Sequence, residues 1–205
     1  MSNKLDSETR LLAAIAYGEA STEDIFEEMA AIANVMVRQQ KARGYSTIAE
    51  FTSKESTFSF VVRDGNERFA IMKKAREAQI EKSAAMSNAV RAARNAMAAD
   101  GVDYSGGAYF WDGSDIKTNY NNHFKVRHGI KFTDSSHNIY GIKESTALVI
   151  KTKTTKRKVD GKIVVKKEEI YRYDHIYEST AGYGGTIFWR QNPDYLRYTR
   201  SREYM

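Results

Sequence analysis

The sequence of 205 residues predicts one α+β domain: an α-rich core with a small β portion and a basic β-hairpin extension in the C-terminal half. Apolar residues recur at helical spacing through the first hundred residues. After residue 102 this periodicity gives way to glycine-rich turns and most of the aromatic residues, including both tryptophans. At 41% hydrophobic residues the chain can fill a globular core, which excludes disorder throughout.

Capping residues and glycine stops indicate four helices in the first half, over residues 7–18, 21–44, 66–80 and 83–99. Asp6 or Ser7 begins the first helix, which ends near Gly18, and Ser21 is the predicted start of the second. Glu19 is therefore expected just past a helix end, between two helices.

The hairpin is predicted from two alternating segments, Leu148–Lys153 and Lys162–Lys167, on either side of the turn pair Asp160-Gly161. Eight Lys or Arg residues lie between residues 151 and 167. Such a face attracts polyanions, although a charged hairpin also serves simply as a solvated edge that resists aggregation. We assign residues 1–142 to the core and 143–205 to an extension packed on it.

Composition excludes several classes of chemistry. The chain has no cysteine, which excludes disulfides, thiolate nucleophiles and Cys-ligated metals. The four histidines form no i, i+4 pair with acids, so we expect neither a metal site nor any other cofactor. No signal peptide or membrane span is expected. The protein is therefore predicted to be made in the cytoplasm and to reach any outside target by non-classical export or after lysis.

The segment Ala16-Tyr17-Gly18-Glu19-Ala20 is the most informative for function. A carboxylate held between two helices and packed against Tyr17 is partly desolvated, which raises its pKa toward that of a general acid. An alternative is that Glu19 only decorates the start of the second helix.

This segment and the following A-A-I-A-N-V-M-V-R resemble the start of the spore-cortex-lytic type cell wall hydrolases. Three further stretches fall in the family's order: the region from Thr47-Ile48 to T-F-S-F, the loop D-Y-S-G-G-A-Y-F, and S-H-N-I-Y. The resemblance covers roughly residues 8 to 142. It implies a lysozyme-like fold that acts on the glycan strands of peptidoglycan, with Glu19 as the catalytic acid.

The same stretches supply candidate substrate-binding residues. The resemblance points to Thr57, which stands where the family has glutamine, and to Ser59, Gly107 and His137. Aromatic rings pack on the C–H faces of sugars, which adds Tyr109 and Phe110. Glu178 is a further candidate, because it lies in a segment of hydroxyls and glycines before an apolar run.

Spacing alone does not identify a second catalytic carboxylate among the acids Asp24, Glu28, Glu50, Glu55, Asp112, Asp115 and Glu178. Glycosidases normally use two, but a lytic transglycosylase needs only one, which acts as acid and then as base. Muramidase and lytic transglycosylase activity both stay open.

Several roles fit this chemistry: an antibacterial effector delivered by a contact-dependent secretion system, with an acidic immunity protein as partner, or a phage endolysin. The alternative from another class is a non-enzymatic protein that binds nucleic acid through the basic hairpin. Under the enzyme hypothesis no nucleic acid partner is expected.

Overall fold

The computed structural model describes residues 5–205, except for the side chain of Phe60, and has the predicted mixed α+β fold with a two-stranded hairpin. The helices are α1 (Ser7–Glu19), α2 (Phe26–Ala42), α3 (Ile48–Lys54), α4 (Ser56–Arg63), α5 (Glu67–Lys74), α6 (Glu77–Lys82), α7 (Ala84–Met97), α8 (Asp115–Thr118), α9 (Phe124–Arg127) and α10 (Pro193–Thr199). The strands are β1 (Phe110–Asp112), β2 (Ile130–Lys131), β3 (Val149–Val159), β4 (Lys162–Tyr173), β5 (Tyr177–Tyr183) and β6 (Thr186–Gln191). Among residues 5–205, none of the helices is both long and apolar enough to cross a membrane.

Helices α1, α2 and α7 form the centre of the helical part. Asp6 caps α1 as predicted, since its carboxylate accepts a hydrogen bond of 2.8 Å from the Thr9 amide. The contact face of α7 consists mostly of alanine, which lets the neighbouring helices approach closely. The buried side chains of this centre include Leu12, Ile15, Met29, Ile32, Met36, Ala89, Ala92 and Ala93.

Two predicted helix boundaries are wrong, and helices α3 and α4 lie where no helix was predicted. Helix α2 begins at Phe26, not at Ser21, because residues 21–25 form a turn in which Asp24 has a positive φ of 57°. The segment predicted as one helix over 66–80 is divided into α5 and α6, because Ala75 adopts an extended conformation between them. Helical periodicity continues across this break, so the apolar pattern did not reveal it.

A four-stranded sheet packs beside the helices in the order β1-β6-β5-β2. It is antiparallel except for the β2–β5 pair. Strands β1 and β2 precede residue 142 and β5 and β6 follow it, so the two segments assigned from the sequence share one sheet. Its central strand β6 is almost completely buried, with Ile187, Phe188 and Trp189 at 0% exposure.

The predicted basic hairpin is confirmed and is longer than expected. Strands β3 and β4 pair over their whole length with one irregularity near Lys151, and they form a separate two-stranded sheet, here called the ribbon. Nearly all of its side chains are exposed. Near its base, Tyr171 stacks on Tyr198 of α10, with ring centroids 4.8 Å apart.

Candidate functional site

Glu19 is the last residue of α1, and its backbone is fixed by side chains from around α5. The Asn66 amide donates a hydrogen bond of 2.8 Å to the Gly18 carbonyl, and Arg68 Nε donates one of 2.9 Å to the Tyr17 carbonyl. These bonds satisfy carbonyl groups that a helix end leaves without intrahelical partners. The position of the carboxylate is therefore set by tertiary contacts and not by α1 alone.

Gly18 has a packing role that explains why a glycine precedes Glu19. A Cβ atom at this position would lie 2.9 Å from Phe69 Cβ and 3.2 Å from the Phe69 amide nitrogen. Only glycine allows α5 to come this close to the end of α1.

The Glu19 carboxyl is half-buried, and burial raises its pKa from the ordinary 4.5 to about 7. The negative charge of Asp64 adds to the rise. A hydrogen bond from the Trp111 indole stabilises the carboxylate and opposes the rise. A carboxyl with this pKa is partly protonated at neutral pH, as a general acid requires. The sequence predicts the desolvation of Glu19, but it does not predict the effects of Asp64 and Trp111 on its pKa.

A cleft of about 220 Å³ is lined in part by Trp111, although Glu19 is not among its lining residues. The Trp111 side chain joins the two, because it bonds to Glu19 and also lines the cleft. Glu19 itself is partly exposed, so its side chain is not sealed in the core. The lining residues come from α4, β1 and α9: Thr57, Phe58, Phe110, Trp111, Asp112 and Lys125.

Two of the predicted substrate-binding residues meet at this cleft. Thr57 is exposed on α4, and Phe110 lies on β1 with its ring 5.9 Å from that of Tyr177. Ser59 is also on α4, but its hydroxyl donates to the Ser56 carbonyl and does not line the cleft.

Tyr109 lines a different hollow, formed against α2, and Gly107 lies in the loop that leads to it. The Gly107 amide donates to Asp103, whose carboxylate pairs with Arg38 at 2.6 Å. The Tyr109 ring lies 5.7 Å from the Arg38 guanidinium carbon. This loop ties α2 to the sheet, because Thr180 on β5 donates a 2.6 Å bond to the Ser105 carbonyl. Neither Gly107 nor Tyr109 lines the cleft beside Trp111.

His137 and Glu178 make contacts within the sheet region. His137 Nδ1 lies 3.0 Å from Ser179 Oγ. The Glu178 carboxylate is shared between Arg190 at 3.1 Å and His175 at 3.2 Å. Neither residue lines the cleft beside Trp111. Their predicted contact with substrate stays a prediction.

Three other acids that the sequence leaves open as second carboxylates have protein partners. Asp24 pairs with Arg68 at 2.6 Å, and Glu55 with Arg43 at 2.8 Å. Glu28 is fully buried, and both of its oxygens accept hydrogen bonds, Oε2 from the Ser21 hydroxyl and Oε1 from the Gly185 amide.

Asp112 is the acid that lines the cleft beside Trp111, and it belongs to a charged cluster. Its Oδ1 pairs with Lys125 Nζ at 2.8 Å and lies 3.4 Å from His123 Nε2. Asp115 Oδ2 lies 3.3 Å from the same imidazole nitrogen. The sequence did not predict this cluster. The loop between α8 and α9 places His123 next to the two aspartates, and no regular spacing in the sequence indicates that contact.

Comparisons with known proteins give no assignment: no protein family, no curated protein and no solved structure matches this chain.

Proposed function

We propose that this protein cleaves the glycan strands of peptidoglycan, with Glu19 as general acid and then base. The observation that carries the proposal is the half-buried carboxyl of Glu19, whose pKa is raised to about 7 and which is hydrogen-bonded to Trp111, a residue that lines an aromatic cleft. The Y-G-E-A turn and the order of the other motifs support this substrate class.

The cleft suits one sugar unit of a chain. Phe110 and Trp111 offer aromatic surface for the C–H faces of a sugar ring, while Thr57, Asp112 and Lys125 offer polar groups for its hydroxyls. Such a combination of apolar wall and few polar groups is typical of carbohydrate sites. The raised pKa of Glu19 keeps it partly protonated at neutral pH, and its hydrogen bond with Trp111 connects it to that wall.

The reaction needs two proton transfers at Glu19, one from it and one to it. Protonated Glu19 donates to the glycosidic oxygen as the bond from that oxygen to the anomeric carbon breaks. The anomeric carbon is then captured by water or by the 6-hydroxyl of the same muramic acid. The proton released by that nucleophile returns to the Glu19 carboxylate. Capture by water gives a reducing end, and capture by the 6-hydroxyl gives an anhydro sugar.

The test is digestion of purified peptidoglycan, followed by mass analysis of the released muropeptides. We expect the wild type to release products and Glu19→Gln to be slower by about 10²- to 10⁴-fold, the usual contribution of a general acid. The mass difference of one water separates the two products. The rate of the wild type should fall as pH rises through about 7, because Glu19 then loses its proton.

A matched control is Glu23→Gln, which neutralises an exposed acid in the turn that follows Glu19. This variant should retain the wild-type rate. Equal digestion by the wild type and by Glu19→Gln would remove Glu19 from the mechanism, and no digestion by the wild type would contradict the proposed function itself.

A further inference from the structure

Three ionisable side chains converge at the border of the cleft, from three different elements. Asp112 ends β1, Asp115 begins α8 and His123 directly precedes α9. One ligand-type atom from each lies within 4.8 Å of the other two. A convergence of two carboxylates and one imidazole is a donor set that divalent metals take in proteins.

Hydrogen bonding within the cluster does not account for the position of the imidazole. The side chain of His123 is only 9% exposed, and its Nδ1 is buried without a partner. Its Nε2 lies 3.3–3.4 Å from an oxygen of each aspartate, which is longer than the roughly 2.7–2.9 Å of a charge-assisted hydrogen bond. Two donors on one tetrahedral ion are about 3.3–3.6 Å apart when each bond is about 2.0–2.2 Å.

A second, independent observation comes from the other oxygen of Asp112. The side chain of this residue is 10% exposed, and Oδ1 is occupied by Lys125 Nζ. Oδ2 is buried and has no hydrogen-bond partner among the described residues. A buried carboxylate oxygen without a partner is costly, and a bound cation would remove that cost.

The local charge also favours a cation. With a neutral imidazole, the carboxylates of Asp112 and Asp115 outweigh the single ammonium of Lys125, so one negative charge remains in the cluster. Imidazole as a ligand favours a transition metal such as Zn²⁺ over Ca²⁺ or Mg²⁺.

From these observations we propose that Asp112, Asp115 and His123 bind one divalent transition-metal ion, of which Zn²⁺ is the representative. The site has three protein ligands and leaves the remaining coordination position to water. Because Asp112 and Lys125 also line the cleft, the ion would lie at its border. The proposal does not depend on peptidoglycan cleavage.

The test is calorimetric titration of the chelator-treated full chain with ZnCl₂, together with thermal unfolding with and without Zn²⁺. We expect one Zn²⁺ per chain and a higher unfolding temperature in its presence, because the ion binds only the folded state. Asp115→Asn should weaken binding at least about 100-fold, since loss of even an outer-shell partner costs 10- to 100-fold. The side chain of Asp115 is 65% exposed, so this variant should fold normally.

His123→Gln should have the same effect on Zn²⁺ affinity. Its matched control is His128→Gln, which removes a nearby histidine outside the cluster whose Nδ1 bonds the Phe124 carbonyl. The control should bind Zn²⁺ as the wild type does. Absence of stoichiometric binding by the wild type, or unchanged affinity in Asp115→Asn, would overturn the assignment.

Discussion

Two antiparallel hairpins follow one another in this chain, and they differ sharply in burial. In the β5–β6 pair, Ile187 is fully buried, whereas in the ribbon Ile163 is 70% exposed. The ribbon is rich in β-branched residues and the β5–β6 pair is rich in aromatic ones, so both have high β propensity and that propensity does not distinguish them. Strand β6 carries the consecutive apolar run Ile187-Phe188-Trp189 and lies between two other strands, while lysines alternate along the ribbon. Local pattern thus predicts strand pairing, but neighbouring elements determine burial.

The turns of the two hairpins are held differently as well. The β5–β6 turn is anchored by Glu28 of α2, which accepts hydrogen bonds from the Gly185 amide at 3.0 Å and the Thr186 hydroxyl at 2.7 Å. The ribbon turn relies on Asp160 and Gly161, which both have positive φ. We therefore expect perturbations to be costly near β5–β6 and mild in the ribbon.

The largest effect is expected for Glu28→Ala. The substitution leaves the Gly185 amide and the Thr186 and Ser21 hydroxyls without their acceptor. Buried donors without partners are costly, and we expect the free energy of unfolding to fall by about 3–5 kcal/mol. Denaturant unfolding followed by circular dichroism measures this change.

The neighbouring acid provides the control for that measurement. Glu27 is exposed on the same turn of α2, and Glu27→Ala should change the free energy of unfolding by no more than about 0.5 kcal/mol. Glu28→Gln retains one acceptor oxygen and should fall between the two. A loss below about 1 kcal/mol for Glu28→Ala would show that the turn does not depend on this anchor.

The second prediction concerns how the ionisation of Glu19 changes the free energy of unfolding with pH. Because its pKa is raised in the folded state, the stability it contributes is complete below about pH 4.5 and is lost as pH rises through about 7. Glu19→Gln should therefore match the wild type at pH 4 and exceed it at pH 8, by up to about 3 kcal/mol. Unfolding free energies at the two pH values measure the difference, and a constant difference across pH would contradict the raised pKa.

The variant Trp111→Phe tests one of the interactions that set the pKa of Glu19. It removes the hydrogen bond that stabilises the Glu19 carboxylate while leaving an aromatic ring in the cleft. The pKa of Glu19 should rise further, so the fall in activity should move to higher pH. Direct titration by carboxyl NMR measures the shift independently of activity. A downward or absent shift would show that Trp111 does not stabilise the carboxylate.

The sequence predicted those parts of the fold that depend on local signals. The Asp6 cap, the end of α1 near Gly18 and the turn at Asp160-Gly161 are set by residues close together in the chain. The start of α2 was misplaced because Ser21 suits a helix cap. In the structure its hydroxyl donates instead to Glu28, at 2.7 Å.

The site was predictable only in part, because many of its contacts join residues far apart in the sequence. A glutamate at a helix end next to Tyr17 predicts partial burial, but its contact with Trp111 joins elements far apart in the sequence. Tyr109 was grouped with Phe110 as an aromatic pair. The two line different hollows, because neighbouring residues of an extended segment point in opposite directions.

The third prediction compares matched substitutions in the two hairpins. Ile187→Val removes a methylene group from the core and should lower the free energy of unfolding by about 1 kcal/mol. Ile163→Val makes the same change in the ribbon and should have an effect near zero, because that side chain is already in water. Thermal unfolding of both variants measures the two changes in stability. Equal losses would indicate that the ribbon is covered in solution.

The smallest effect is expected for the ion pair between Lys166 and Glu168 in the ribbon, whose side chains are 71% and 50% exposed. A double-mutant cycle with alanine should give a coupling free energy below about 0.5 kcal/mol, because water screens the charges. The half-buried pair of Arg43 and Glu55 serves as the comparison, since Glu55 also accepts a bond from the Tyr45 hydroxyl. Its coupling should reach about 1–2 kcal/mol and persist in high salt, since hydrogen bonds to charged groups are stronger. Equal coupling free energies in the two pairs would show that partial burial does not strengthen the Arg43–Glu55 pair relative to the exposed pair of the ribbon.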